Sequence, residues 1–181
     1  DDIFCAKEES ILFLQDILTE VIPLFPSSYV HVGGDEAPKT RWKSCPNCQA
    51  IIKEKGLHDE HELQSYFIGR MDAFLTQKGK KLIGWDEILE GGLSPNASVQ
   101  SWRGMEHGKH AAEMKHNVVM SPTSHCYLDY GLEAINLERV YSFNPIPEGL
   151  EKKFEQYILG AEVNMWTEHL PNDSVLDSRV F

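Results

Sequence analysis

The chain has 181 residues, of which 41% are hydrophobic and 25% are charged, and its formal net charge at pH 7 is −11. This composition is typical of a globular domain with a hydrophobic core, and the negative charge argues against a nucleic-acid partner bound through a basic surface. No apolar run approaches the roughly 18 residues of a membrane-spanning helix.

Helical and strand patterns alternate along the sequence. The predicted elements are, in chain order, a helix over 6–21, a strand over 29–32, helices over 46–55 and 59–78, strands over 81–85 and 98–102, a helix over 106–115, a strand over 117–120, a helix over 148–156 and a strand over 157–164. Asp59 and Glu62 form a capping-box pattern at the start of the long helix. Five strands with helical or irregular connections predict a parallel sheet with crossover helices.

Polar and aromatic residues follow the predicted strands, where a (β/α)8 barrel builds its active site. An open doubly wound sheet is less favoured, because no glycine-rich phosphate-binding motif follows any strand. Five strands do not close an eight-stranded barrel of roughly 250 residues. We therefore predict that residues 1–181 are a fragment of a catalytic barrel domain, roughly strands four to eight. The first three strands would be absent, and the exposed sheet edge at 29–32 would favour self-association. A complete five-stranded open sheet is the alternative.

Two adjacent carboxylates, Asp35 and Glu36, follow the first predicted strand. Successive strand side chains point to opposite faces, so both reach one pocket only where Gly33 and Gly34 allow the chain to leave strand geometry. In ordinary glycosidases two carboxylates face each other across the sugar, roughly 5 to 9.5 Å apart. The adjacency therefore predicts unequal roles, an acid beside a carboxylate that does not attack. A polar strand end with Asp35 as a helix cap is the alternative.

Further side chains suited to a sugar site follow the later strands. Three tryptophans could wall a sugar or a small acyl group: Trp85, Trp102 and Trp166. One phenol and two carboxylates could hydrogen-bond to sugar hydroxyls: Tyr127, Asp129 and Glu168. Asp86 and Glu87 are predicted to be structural.

The cysteines leave several interpretations open. The chain contains Cys5, Cys45, Cys48 and Cys126, and the second and third form a C-x-x-C pair without a matching second pair. With His58 and His61 downstream, a Cys2His2 metal site is one interpretation. A redox pair, a loop disulfide and unpaired structural thiols are the others.

Residues 31–36 read His-Val-Gly-Gly-Asp-Glu, which resembles the H-x-G-G-D-E signature of family 20 glycoside hydrolases, the β-N-acetylhexosaminidases. The likeness continues, in the order of the family, through residues 84–88, 100–104, 127–129 and 164–168. The resemblance implies a retaining exo-hydrolase for oligosaccharides or glycoconjugates with terminal N-acetylglucosamine or N-acetylgalactosamine. It implies no cofactor and no metal at the site, an accessory domain absent from this chain, and a periplasmic, secreted or lysosomal location.

The resemblance also implies a role for each matching residue. The 2-acetamido oxygen of the substrate would attack the anomeric carbon, with Glu36 as general acid and then base, Asp35 holding the acetamido N–H and Tyr127 its carbonyl oxygen. The residues assigned to substrate binding are His31, Trp85, Trp102, Trp166, Asp129 and Glu168. The family takes a sugar-gripping arginine from its first barrel strand, which this chain would lack. Without this arginine, an inactive sugar-binding fragment is one alternative. A metal-binding module at Cys45 and Cys48 is another.

Overall fold

The computed structural model of the chain describes residues 3–180, apart from the side chain of His169. The helices are α1 (Glu8–Val21), α2 (Thr40–Ser44), α3 (Pro46–Lys55), α4 (Glu60–Gln77), α5 (Met105–Glu113), α6 (Thr123–Cys126), α7 (Leu137–Tyr141) and α8 (Asp173–Val180). The strands are β1 (Tyr29–His31), β2 (Lys81–Trp85), β3 (Ser98–Ser101), β4 (Val118–Met120) and β5 (Ile158–Ala161). Short 3₁₀ turns lie at Ile22–Leu24, Asp86–Leu89, Lys152–Tyr157 and Thr167–His169.

The five strands form one sheet in the order β1-β2-β3-β4-β5. β1 pairs with β2 in parallel, and β4 pairs with β5 in parallel. This arrangement confirms the predicted α/β architecture. The chain divides into two compact units between Val99 and Gln100. None of the helices within residues 3–180 combines the length and apolar character of a membrane span.

In the first unit, the long helix α4 packs against β2. Its apolar face is buried, with Leu63 and Leu75 fully inaccessible. The predicted cap is confirmed, because the Asp59 carboxylate accepts hydrogen bonds from the N–H groups of His61 and Glu62 at 2.9 and 3.0 Å. The Glu62 carboxylate reaches back to the N–H of His58 at 2.8 Å. α4 is thereby fixed at its start and presents a defined face to the sheet.

In the second unit, α5 packs against β4 and shares a small-residue interface with it. Ala111 and Ala112 of α5 and Val118 and Met120 of β4 are fully buried. The β4–β5 register shifts between Val118 and Val119. The backbone hydrogen bonds between these two strands continue beyond β5, where the N–H of Glu162 donates to the carbonyl of Met120 at 3.0 Å.

The helix predicted over 148–156 is wrong. Residues 148–149 form a turn that the Leu150 N–H closes by donating to the carbonyl of Pro147 at 3.2 Å. Only the 3₁₀ turn Lys152–Tyr157 follows, because proline and Gly149 interrupt the helical path at its start. The helices α7 and α8 were not predicted. Neither contains a buried residue, so neither has the apolar face that a helical sequence pattern reveals.

Candidate active site

The acid pair lies on a turn that has left strand geometry, as predicted. Gly33 and Gly34 have φ values of +73° and +101°, and Glu36 has φ +42°, which is uncommon for a residue with a side chain. A Cβ atom on Gly34 would lie 2.6 Å from Cγ2 of Ile88, so a side chain here would force the turn or Ile88 to move. The Asp35 and Glu36 side chains are both exposed. Backbone strain concentrated at one turn is a common feature of functional sites.

Buried polar groups from two elements hold this turn in place. The Gln64 side chain of α4 is 4% exposed, and its Nε2 donates to the carbonyl of Gly34 at 2.7 Å. The Lys39 ammonium bonds to the same Gln64 amide and to the carbonyl of Ala37 at 2.8 Å. Burial lowers the pKa of Lys39, as expected for an ammonium in a confined position. The backbone beyond the acid pair is therefore tied to α4.

Glu87 supports the turn from the 3₁₀ segment after β2. Its carboxylate is buried and accepts the N–H of Glu36 at 3.4 Å. Asp86 beside it is fully buried as well. Both positions agree with the structural role predicted for this second pair of carboxylates.

His31 connects the glycine turn to the first of the three tryptophans. Its Nδ1 accepts a hydrogen bond from the N–H of Gly33 at 3.1 Å, which places the proton of a neutral imidazole on Nε2. The imidazole meets the Trp85 indole edge-on, with ring centroids 4.9 Å apart and an interplanar angle of 61°. His31 therefore fixes the relative placement of the turn and of Trp85.

The second unit gathers an aromatic cluster around Tyr127. The Tyr127 ring lies 6.3 Å from that of Trp102 at 28° and 6.4 Å from that of Trp166 at 48°. Tyr130 contacts it at 5.5 Å. Tyr127 is buried, whereas Trp166 is 42% exposed. The cluster therefore offers aromatic faces that are tilted relative to one another, with that of Trp166 partly open to solvent, and such faces suit a sugar or an acyl group.

Asp129 is buried and follows Tyr127 of this cluster by two residues. It is 6% exposed, and neither carboxylate oxygen has a hydrogen-bond partner among the described residues. The backbone around it is fixed, because the Leu128 N–H donates to the carbonyl of Asn164 at 2.9 Å. An unbonded buried acceptor costs about 1 to 3 kcal/mol, and more when charged. Glu168 is exposed in the 3₁₀ turn that follows Trp166.

Comparison with known sequences decides the family. Residues 1–181 match the catalytic domain of glycosyl hydrolase family 20. The chain belongs to this family. A β-hexosaminidase of Porphyromonas gingivalis is 47% identical over 193 residues, which cover 99% of this chain and 25% of that protein. The family 20 chain therefore spans about a quarter of the length of this relative.

Solved structures of family 20 enzymes share the fold. The crystal structure of a β-N-acetylhexosaminidase from Bacteroides fragilis is 35% identical with a TM-score of 0.86, and the match covers 99% of this chain and 39% of that one. An exo-β-N-acetylglucosaminidase from Vibrio harveyi, solved in complex with N-acetylglucosamine, is 29% identical with a TM-score of 0.88, covering 100% of this chain and 31% of that one. These matches confirm the predicted fold class, an α/β chain that forms part of a (β/α)8 barrel.

The contacts of the cysteines in this family 20 chain differ from those that a Cys2His2 site would require. The sulfurs of Cys45 and Cys48 meet that of Cys5, and no described histidine or carboxylate joins them. The Nδ1 atom of His58 bonds instead to the carboxylate of Glu62 at 2.9 Å. His61 Nδ1 bonds to the carboxylate of Glu90 at 3.1 Å. Cys126 is buried in the second unit, and burial raises its pKa to about 11.

Sequence reasoning missed the residues that support the site. Gln64 could have been identified from the sequence, because a polar residue stands there on the apolar face of α4, one turn before Ile68. The contact of Cys5 with the C-x-x-C pair was not predicted, because Cys5 lies 40 residues before Cys45. Long-range convergence of this kind follows from the fold and leaves no local pattern.

Proposed function

We propose that the complete protein is a retaining exo-β-N-acetylhexosaminidase that removes terminal N-acetylglucosamine or N-acetylgalactosamine from oligosaccharides or glycoconjugates. The observation that carries the proposal is the glycine turn after β1, on which Asp35 and Glu36 stand together in non-strand geometry. Two carboxylates from one turn do not flank a sugar from opposite sides, so the second one needs a role other than attack.

In this proposal the nucleophile belongs to the substrate. The carbonyl oxygen of the 2-acetamido group forms a bond to C1 while the bond from C1 to the leaving oxygen breaks. The carboxyl proton of Glu36 passes to that leaving oxygen. Water then adds to C1, its proton returns to the Glu36 carboxylate, and the bond from C1 to the acetamido oxygen breaks. Two inversions at C1 give net retention.

The surrounding residues would fix the acetamido group and stabilise the charge that it develops. An internal nucleophile gains its advantage from orientation, so the group must be held in a single pose. Asp35 would accept the acetamido N–H and stabilise the positive charge of the cyclic intermediate. Tyr127 would donate to the carbonyl oxygen. The indoles that would wall the pocket are Trp85, Trp102 and Trp166.

The remaining polar residues would bind the sugar ring. Asp129 supports this role, because its buried oxygens have no described partner and each accepts hydroxyl donors. Glu168 would accept a further hydroxyl. His31 would act through Trp85, which it contacts directly.

The proton-transfer role of Glu36 is tested with two leaving groups of different basicity. Glu36→Gln should reduce turnover of an alkyl N-acetyl-β-glucosaminide by about 10²- to 10⁴-fold, because a basic alkoxide needs a proton as it leaves. For a dinitrophenyl leaving group, which needs little protonation, the loss in kcat/KM should be far smaller, because kcat/KM reports the step that expels the leaving group. Glu54→Gln, an exposed carboxylate on α3, is the matched control and should leave both rates unchanged. Equal losses of kcat/KM on both substrates would exclude Glu36 as the acid.

Asp35→Ala tests the other carboxylate. We expect it to slow acetamido substrates severely, since the developing positive charge loses its counter-charge. Near-native rates with Asp35→Ala would contradict substrate assistance even if Glu36 proves to be the acid.

For the 181-residue chain by itself, we propose sugar binding without turnover. Residues 3–180 form five strands, whereas a closed barrel has eight. Titration of the chain with N-acetylglucosamine by NMR should shift the Trp102 and Trp166 indole signals, and an aryl N-acetylglucosaminide should stay intact. Measurable hydrolysis by the chain would contradict this proposal.

A further inference from the structure

Three cysteine sulfurs of the first unit converge on one point. The Sγ atoms of Cys5, Cys45 and Cys48 lie within 4.8 Å of one another, with 3.7 Å from Cys5 to Cys45 and 3.6 Å from Cys5 to Cys48. Sulfurs bound at about 2.3 Å to a tetrahedral zinc ion are about 3.8 Å apart. The two distances from Cys5 match this spacing, and the sulfurs of Cys45 and Cys48 lie within 4.8 Å of each other. We propose that the three thiols bind one zinc ion, with water or another donor as the fourth ligand.

The backbone around these sulfurs is arranged to favour thiolates. Cys45 stands at the N-terminal end of α3, and its sulfur accepts hydrogen bonds from the N–H groups of Cys48 and Asn47, which lower its pKa. The Cys48 sulfur accepts the N–H of Ala6, although burial raises the pKa of this thiol to about 12. Metal ligation requires thiolates, and N–H donors at a helix start stabilise them. A bound cation would compensate for the burial of negative sulfur.

The number of sulfurs distinguishes a metal site from a disulfide. A disulfide joins two cysteines and would leave the third thiol of this group unused, and all three are free in the structure. A ligand that uses all three sulfurs accounts for their convergence. Thiolates are soft donors that select zinc over magnesium or calcium, and the C-x-x-C spacing is typical of structural zinc.

The zinc would join two segments on either side of the acid pair. Cys5 precedes α1, whereas Cys45 and Cys48 follow the loop that leads from Asp35 and Glu36. A neighbouring contact already links the same segments, because Nε1 of Trp42 donates to the carbonyl of Phe4 at 2.9 Å. The group packs against the buried side chains of Trp42 and Leu63. A structural role follows, and it stands independently of the proposed catalytic function.

Metal analysis of the purified chain tests the proposal. The protein is expressed with zinc in the medium and purified in reducing buffer without chelators. We expect close to one zinc per chain, and a loss of at least tenfold in Cys45→Ser and in Cys48→Ser. Cys126→Ser also removes a buried cysteine, but one outside the group, so it should retain the full zinc content.

A second measurement on the unmodified chain guards against variants that fail to fold. Cobalt titrated into the reduced, metal-free chain should produce a thiolate charge-transfer band and intense tetrahedral d–d bands, both abolished by zinc. Removing the metal should lower the Tm by about 5 to 10 °C. The proposal is overturned if the reduced chain binds neither ion. It is equally overturned if the chain purified without reductant lacks zinc and its mass is two hydrogens lower, which would indicate a disulfide.

Discussion

Replacing Gly34 by alanine perturbs the shape of the turn that carries Asp35 and Glu36 without touching either carboxylate. The new Cβ atom would lie 2.6 Å from Cγ2 of Ile88, at a backbone φ of +101°. Ordinary carbon contacts lie at about 3.5 to 4.0 Å, so the turn or the isoleucine must move by roughly 1 Å.

The magnitude of this effect has two parts. A side chain at positive φ costs roughly 1 to 2 kcal/mol, and overpacking a filled site costs about 1 to 3 kcal/mol more. We therefore expect Gly34→Ala to reduce the free energy of unfolding by about 2 to 5 kcal/mol. A displacement of about 1 Å at a catalytic group also costs on the order of 10²-fold in rate, so kcat should fall by about that factor.

Gly92→Ala is the matched control, because Gly92 has φ +110° and open space where the Cβ atom would stand. It should lose about 1 to 2 kcal/mol from backbone strain alone and retain its kcat. The assay is turnover of an aryl N-acetylglucosaminide by the complete protein below its Tm, together with urea unfolding. In the Gly34→Ala background, Ile88→Ala removes the clashing atom and should restore part of kcat. Equal kcat values for the two alanine variants, or no rescue, would show that the contact with Ile88 does not position the acid pair.

Four further predictions concern residues around the site and the edges of the fold. Asp129→Leu removes an unbonded buried carboxylate and should therefore raise the free energy of unfolding by about 1 to 3 kcal/mol. It also removes the proposed contact with a sugar hydroxyl and should lower kcat/KM by about 10- to 150-fold. Lower stability with unchanged kcat/KM would contradict this. Gln64→Leu should lower kcat about tenfold with little change in KM, since the bonds to Gly34 and Lys39 hold the turn; a change confined to KM would contradict it. The Arg70 guanidinium lowers the pKa of Glu8 through hydrogen bonds at 2.7 and 2.8 Å. The stabilisation from this pair should therefore be present above the ordinary glutamate pKa and disappear as pH falls through the lowered value, and urea unfolding across that range in the parent and in Glu8→Gln measures it. Because β1 is an edge strand, the isolated chain should sediment faster as its concentration rises, and a constant monomeric value would contradict self-association.

The sequence patterns predicted the elements with strong periodicity or clear end signals. The helix from Pro46 to Lys55 has the predicted bounds, because proline begins it and Gly56 ends it in left-handed geometry. The strand Lys81–Trp85 is also as predicted. The 148–156 helix failed because Pro147 and Gly149 stand where it would begin. Turn residues at the start of a segment determine whether a helix can begin there.

The site was predictable where chemistry is concentrated in adjacent residues. Asp35 and Glu36 follow two glycines, and such a motif reads directly as a turn that carries carboxylates. The contacts that hold this turn come from Gln64 and Glu87, which approach it only after the chain has folded. The sequence places Gln64 as a polar residue on the apolar face of its helix, but the group that it meets depends on helix–sheet packing.

The central claim is that the 2-acetamido group of the substrate performs the attack. The most direct measurement compares kcat/KM of the complete protein for 4-nitrophenyl N-acetyl-β-glucosaminide with that for 4-nitrophenyl β-glucoside. The two share the leaving group and differ in the group at C2. Orientation of an internal nucleophile contributes about 7 to 11 kcal/mol to a reaction, so the plain glucoside should show no detectable turnover. Cleavage of both substrates at comparable rates would contradict the account.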